Sequence, residues 1–347
     1  MKYHRIAAAV CGLSLVLCAC GNSGTVVPQR KTKLAPPFSA LSEIKAGRKN
    51  IYLIVKDLDS DYWRVVIDGA KDAGADFGCN VYYSGTYAEE DWKFQEDLLE
   101  DALRKHADAV VIAPDDSVRL APKISELQQK DVQVILIDTG ANTDDYSLCL
   151  MTDNLAAGQQ AAEEMLSLMR EKGHTDSDPV QIGVMVSTSH SQTINERLAG
   201  FIGYWTQHAP DGWQVLPDIK CFDDNAEYAR VLAEQMLKEN AGITGLFGTN
   251  NSATIALCDE LMEEGRTDVA MVGFDYSPSF LELMTSPDYC AASIVQRQYD
   301  MSYEGIQAAL NCIDGKKMPV KFMDMGVVTV NGETMYDAEV QEILSHN

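Results

Sequence analysis

Residues 246–296 read LFGTNNSATIALCDELMEEGRTDVAMVGFDYSPSFLELMTSPDYCAASIVQ, and this stretch decides the fold. Three apolar runs, at 245–248, 269–274 and 291–295, are too short for helices and rich in β-formers. Each ends in a polar or Gly-containing turn, and helical spacing follows, as in Ala253, Ile255, Ala256, Leu257, Leu261 and Met262. Strand, turn and helix in repetition predict a parallel sheet covered by helices, with ligands held beyond the carboxyl ends of the strands. Asn251, Asp275 and Gln296 fall at such ends.

Working outward, the same alternation begins at Asn50. Strands are expected at 51–55, 81–83, 109–112 and 132–137, the last ending on Asp138, with helices between them. A short strand and turn at 149–154 leads into a long helix, 156–169, and a second α/β unit then opens with a strand at 181–186. Helices at 194–208 and 226–239 flank a single expected strand at 213–222, and a further helix is expected at 302–313. Right-handed crossovers are expected throughout.

The chain of 347 residues can hold two domains with proper cores. Its 46% hydrophobic and 23% charged residues are ordinary for a globular protein, but its net charge of −24 is not. That excess argues against nucleic acid or anionic lipid as partner, since both require basic patches. It is read as solvated helix faces such as 89–91 and 260–264.

At the amino end, Lys2 and Arg5 precede an apolar run, 6–17, too short to span a bilayer stably. The run closes on Leu17-Cys18-Ala19-Cys20-Gly21, which resembles a bacterial lipoprotein cleavage box. That resemblance implies a signal peptide over 1–20 and lipidation of Cys20. Acyl chains would supply the only membrane attachment, at the outer face of the cytoplasmic membrane or in the periplasm. Residues 21–48, with Pro28 and Pro36-Pro37, read as a flexible tether. Of nine cysteines, the six beyond Cys20 show no CxxC or zinc-type spacing, and buried thiols are the expectation.

The segments GTNNSATIALCDELMEEG, VAMVGFDYSPSFLELM and AASIVQRQYDMSYEGIQAALN resemble the closing part of periplasmic sugar-binding proteins of the ribose/galactose type, which share their fold with LacI-type effector domains. The resemblance runs from about Asn50 to the end. It implies the type 1 periplasmic binding fold: two doubly wound parallel-sheet lobes, 49–152 plus 297–325 and 153–296 plus 326–347, joined by a three-strand hinge. It also implies capture of a small sugar or polyol between the lobes and delivery to ABC permease subunits by a monomer.

The resemblance places Tyr62 and Trp63 against a sugar ring, with Ser60 and Asp61 beside them where relatives often carry Asn. Asp138, ending a strand, would accept two hydroxyl protons at once. Thr152 lies at the first crossing. In Asn195-Glu196-Arg197, Asn195 stands where the family has its ligand arginine, and Arg197 matches a second, more structural one. Asn251 stands in place of the usual Asp, while Gln296 is retained. Two formal charges are thus exchanged for amides, which both donate and accept, so a neutral polyhydroxyl ligand is expected. Neither a cofactor nor a metal is implied. The histidines make no HExxH, and no GxSxG elbow or Walker loop occurs. Catalysis therefore has no sequence support. A DNA-binding repressor is excluded by the export signal and by the lack of a basic helix-turn-helix before Asn50. A sensory binding protein presenting its ligand to a membrane receptor uses the same fold and stays open as an alternative.

Overall fold

A computed structural model describes residues 37–87, 91–223 and 225–346. Cys20, the signal segment and most of the tether lie outside the described residues.

Two separate sheets form. In the first, the order is Ser39–Ala40, Asn80–Gly85, Asn50–Val55, Ala109–Ile112, Gln133–Ile137, Leu148–Met151 and Phe322–Asp324. All its pairs are parallel except the first. The second runs Val327–Val330, Ala291–Gln296, Ala270–Phe274, Gly245–Gly248, Val180–Val186 and Trp213–Val215, with Lys220–Cys221 also on Val180–Val186. Only Val327–Val330 is antiparallel there.

The strands carry unbroken apolar runs because both faces are covered. On Asn50–Val55, Ile51, Leu53 and Val55 enter one core cluster while Tyr52 and Ile54 enter another. This is the expected pair of α/β lobes.

Two expectations change. Residues 213–222 form two short strands rather than one, Trp213–Val215 and Lys220–Cys221. Pro217 lies between them and has no N–H to offer the ladder. The first sheet also draws on residues before Asn50: Ser39–Ala40 pairs with Tyr82 and Tyr83, and Phe38 packs edge-on against Tyr52 at 4.7 Å. The end of the expected tether is thus part of the first sheet.

The chain passes between the sheets three times, and side chains join the passages. Asp324 Oδ1 accepts from the backbone N–H of both Asp153 and Gly326, each at 2.9 Å. Thr152 Oγ1 donates to Gln296 Oε1 at 3.1 Å. Having left the second sheet, helix Gln298–Ile313 returns to the first lobe and packs on helix Asp61–Phe77.

In the second lobe, helices Asn154–Glu171 and Gln192–His208 cross at close range. A Cβ on Gly158 would lie 2.1 Å from the Arg197 carbonyl oxygen, and one on Gly200 would lie 2.1 Å from that of Leu155. This contact sets where Arg197 stands. Gly158→Ala should therefore destabilise the protein by about 1–3 kcal/mol, the usual cost of overpacking. Gly203→Ala, on helix Gln192–His208 with nothing near its Cβ, should instead stabilise it by roughly 0.5–1 kcal/mol. Urea titrations of both variants check this. A Gly158→Ala midpoint at or above that of the parent would refute the close crossing.

Candidate functional site

The carboxyl ends of the two sheets face each other across a narrow cleft with free space of about 30 Å3, the room of one or two waters. The lobes are therefore closed in this structure.

From the first lobe, Lys56 follows directly on Val55 and is 3% exposed. Its Nζ lies 3.0 Å from Asp138 Oδ2, donates to Thr139 Oγ1 at 2.6 Å, and sits 5.6 Å from the Trp63 ring centre. Tyr62 donates its phenol to Asp138 Oδ1 at 2.7 Å, and Thr139 donates to Oδ2 at 2.7 Å. Trp63 stands edge-on to Tyr62 at 4.9 Å. Burial alone would push the Asp138 carboxyl up. Lys56, Arg197 and the hydrogen bonds from Thr139 and Tyr62 outweigh it and hold the group below the usual carboxylate range. Tyr62 moves the other way: burial, then the charge of Asp138, push its phenol well up, so it remains a donor.

From the second lobe, Arg197 is 2% exposed. Its Nε donates to Asn154 Oδ1 at 2.8 Å and its Nη1 to the Thr249 carbonyl at 3.0 Å. The guanidinium lies 4.1 Å over the Phe274 ring, and its buried Nη2 has no protein partner among the described residues. Asp275, following the strand Ala270–Phe274, receives Gln296 Nε2 at 3.1 and 3.2 Å on its two oxygens. Asn250 caps helix Asn251–Glu263 through the Ala253 N–H, and Asn251 Nδ2 donates to the Tyr276 carbonyl at 2.8 Å. Across the gap, Thr139 Oγ1 and Thr193 Oγ1 are 2.8 Å apart.

Of the residues expected at the ligand, Ser60, Tyr62, Trp63, Asp138, Arg197, Asn251, Asp275 and Gln296 line this cleft. Three do not. Asp61 is the first residue of its helix, turned to solvent, and pairs with Arg64 at 3.3 Å. Asn195 is exposed and donates to the Ser189 carbonyl at 2.9 Å. On helix Gln192–His208 the buried positions are Thr193, Ile194, Arg197, Gly200 and Phe201, so the helical phase turns Asn195 outward and Arg197 inward. Arg197 is thus the arginine that reaches the cleft, held there by Asn154 and Thr249. Thr152 is buried beneath the lining, bonded to Gln296. Sequence reasoning missed Lys56, Ser191, Thr193 and Asn250, all of which reach the lining. A lysine directly after a buried apolar strand was the one available signal, since such a position lies at the carboxyl edge.

Burial pushes the Asp275 carboxyl up to about 6, only partly offset by Arg197 and Gln296 and reinforced by Asp138. Between the ordinary carboxylate value and about 6, the folded state binds the extra proton. This group's contribution to stability therefore falls as pH rises through that window, by roughly 3 kcal/mol in all. Asp275→Asn removes the effect, and Asn tolerates the left-handed backbone at this position, φ 65°. Unfolding of the ligand-free protein at pH 4, 5, 6 and 7 should show the variant gaining on the parent as pH rises. A constant difference across that range would contradict the assignment.

Residues 51–317 match the family model described as periplasmic binding protein domain. The D-apiose import binding protein of Actinobacillus succinogenes is 22% identical over 277 residues, covering 80% of this chain and 86% of that protein. The ribose import binding protein of Escherichia coli is 20% identical over 276 residues, covering 80% and 88%. Among solved structures, a carbohydrate transporter solute binding protein from Agrobacterium radiobacter in complex with D-arabinose superposes with a TM-score of 0.81. It is 28% identical and covers 86% of this chain and 99% of its own. An ABC transporter solute binding protein from Agrobacterium vitis with bound D-fucose gives 0.76 at 26% identity, covering 84% and 98%. With most of its length matched and both lobes superposing, this chain belongs to the periplasmic binding protein domain family and has the architecture of its ribose-type sugar binders.

Proposed function

We propose that this protein captures a small, uncharged sugar or polyol outside the cytoplasm and delivers it to ABC permease subunits. The observation that carries the reading is the composition of the cleft. Lys56 and Arg197 face Asp138 and Asp275, so formal charge cancels at neutral pH. Carboxylates and amides there can accept or donate to hydroxyls, and the free Nη2 of Arg197 offers a charge-assisted donor. Trp63 adds a flat apolar wall. Curated relatives named for apiose and ribose import, and solved neighbours holding arabinose and fucose, support this ligand class.

The mechanism is hinge closure. Residues 49–152 plus 297–325 move against 153–296 plus 326–347, and ligand bonded to both lobes favours the closed form through its differential affinity. The space of about 30 Å3 in the closed cleft is far below that of a small-molecule pocket, so entry requires opening. Transport proteins of this family bind and hand over without turnover, and the cleft residues are assigned binding roles only.

A thermal-shift screen of neutral pentoses, hexoses and polyols against sugar phosphates and sugar acids tests the reading. A neutral ligand at 100 times its Kd should add about 2.7 kcal/mol. The double variant Lys56→Met/Asp138→Asn removes the pair together, so no charge is left buried alone. It should fold yet lose about 10- to 100-fold in affinity, the worth of hydrogen bonds to charged groups. A phosphorylated or acidic compound as tightest ligand, or full affinity in the double variant, would refute it.

Attachment is a second part of the proposal: Cys20 carries the lipid anchor, and the chain is otherwise a monomer on a tether. Cys20→Ala should release the protein from the membrane fraction or leave it unprocessed. Normal retention and processing of that variant would exclude the anchor.

A further inference from the structure

Beside the cleft, the lobes border a second, half-open chamber of about 260 Å3. Its size approaches the lower end of small-molecule pockets, roughly 300 Å3, although the inner cleft in the same structure is nearly filled. The turn after strand Val180–Val186 serves both spaces: Ser191 lines the inner one, while Thr188 and His190 line the outer. In the second sheet, Asp223 follows Lys220–Cys221, on the far side of Val180–Val186 from the hinge strands.

The first-lobe wall is fixed by its own hydrogen bonds. Asp116, 8% exposed, accepts the backbone N–H groups of Val118 and Arg119 at 2.9 and 2.8 Å. Its other oxygen faces Arg119 Nε at 3.6 Å, and that guanidinium lies 5.2 Å from the centre of the Trp92 ring. Asp115, 4% exposed, is positioned by buried Gln95. The amide oxygen of Gln95 accepts the Asp115 N–H at 2.8 Å while its Nε2 donates to the Ala113 carbonyl at 2.9 Å. On the opposite wall, Thr188 is 2% exposed and its Oγ1 fixes the His190 N–H at 3.1 Å.

The lining carries three carboxylates, Asp116 and Asp223 and the more deeply set Asp115, against one arginine, so its field opposes an anionic tail. Carboxylates beside an indole are the chemistry that holds a hydroxylated ring: accepting oxygens for hydroxyl pairs and flat apolar area for C–H groups. We infer that the ligand extends beyond one ring, with one unit in the inner cleft and a second uncharged, hydroxylated unit, a glycoside or disaccharide, in the outer chamber. This rests on the sugar-binding reading of the inner cleft and adds the length of the ligand to it.

Calorimetry on the full mature chain tests the two claims separately. The probes are D-arabinose, D-ribose, D-galactose and D-fucose, set against arabinobiose, lactose, melibiose and the methyl glycosides of the four. Some two-unit probe should bind at least about tenfold more tightly than its own terminal monosaccharide. Trp92→Ala should erase that advantage while leaving monosaccharide affinity within about twofold. Asp223→Asn, at an exposed position, gives the same readout should Trp92→Ala fail to fold. Monosaccharides that bind while every extended probe is weaker would overturn the inference and leave the inner-cleft reading standing. So would an advantage that both variants retain. Absence of binding by every probe of either length would overturn both.

Discussion

Four ionisable side chains are buried together in one closed cleft, and the rest of the site follows from the need to compensate them. Moving a carboxylate or ammonium out of water costs several kcal/mol even after relaxation. Lys56 and Asp138 meet this by pairing, with Tyr62 and Thr139 filling the remaining carboxylate positions. Arg197 meets it with the Asn154 amide, the Thr249 carbonyl and the face of Phe274. Asp275 has the side-chain amide and backbone N–H of Gln296 and the more distant charge of Arg197, which offset its burial only in part, and its raised affinity for a proton records the shortfall. Ligand hydroxyls donated to Asp275 would supply the missing compensation. The site is thus most in need of a ligand at its second-lobe carboxylate.

The two aspartates occupy matching places in the two lobes. Each ends a parallel strand, each has a left-handed backbone, φ 61° and 65°, and each donates its N–H to the adjoining strand, to Leu150 and Ile294 respectively, at 2.9 Å. No repeat is visible in the sequence, yet the backbone solution is the same. What differs is the neighbour: a lysine holds Asp138 ionised, while an amide leaves Asp275 able to titrate. The cleft therefore has one fixed charge pair and one carboxylate whose state depends on pH and on what it touches.

Much of this was legible because parallel strands announce themselves. The apolar runs ending on Asp138, Asp275 and Gln296 place those residues at the carboxyl edge before any side chain is seen, and all three line the cleft. Asn195 shows where alignment to a family pattern misleads. The resemblance points to that position, whereas the spacing of Ile194, Arg197 and Phe201 on one helix already turns it outward. Asp61 fails for a similar reason, being the first residue of a helix whose next two, Tyr62 and Trp63, face inward. Lys56 is not legible as a cleft residue from its position alone, because only the three-dimensional approach of Asp138, from 82 residues away, makes burial of a lysine tolerable. The break at Pro217 was legible from proline chemistry alone.

Coupling between cleft and hinge runs through Gln296. Its Oε1 accepts from Thr152 at the first passage between the lobes, and its Nε2 donates to Asp275 in the cleft, while its own backbone is the second passage. Asp324 ties the first passage to the third. A hydroxyl that engages Asp275 therefore acts on a carboxylate already bonded to the hinge, and no longer pathway is needed to connect binding with closure. Thr193 meets Thr139 across the gap at 2.8 Å and the Asp138 carbonyl at 3.5 Å, and a hydrogen bond of this kind is worth only about 1 kcal/mol. Contacts of this size bring the lobes together but hold them only weakly. In the proposed closure mechanism, the groups left for a ligand to bridge are Arg197 and Asp275 on one side and Asp138 with Trp63 on the other.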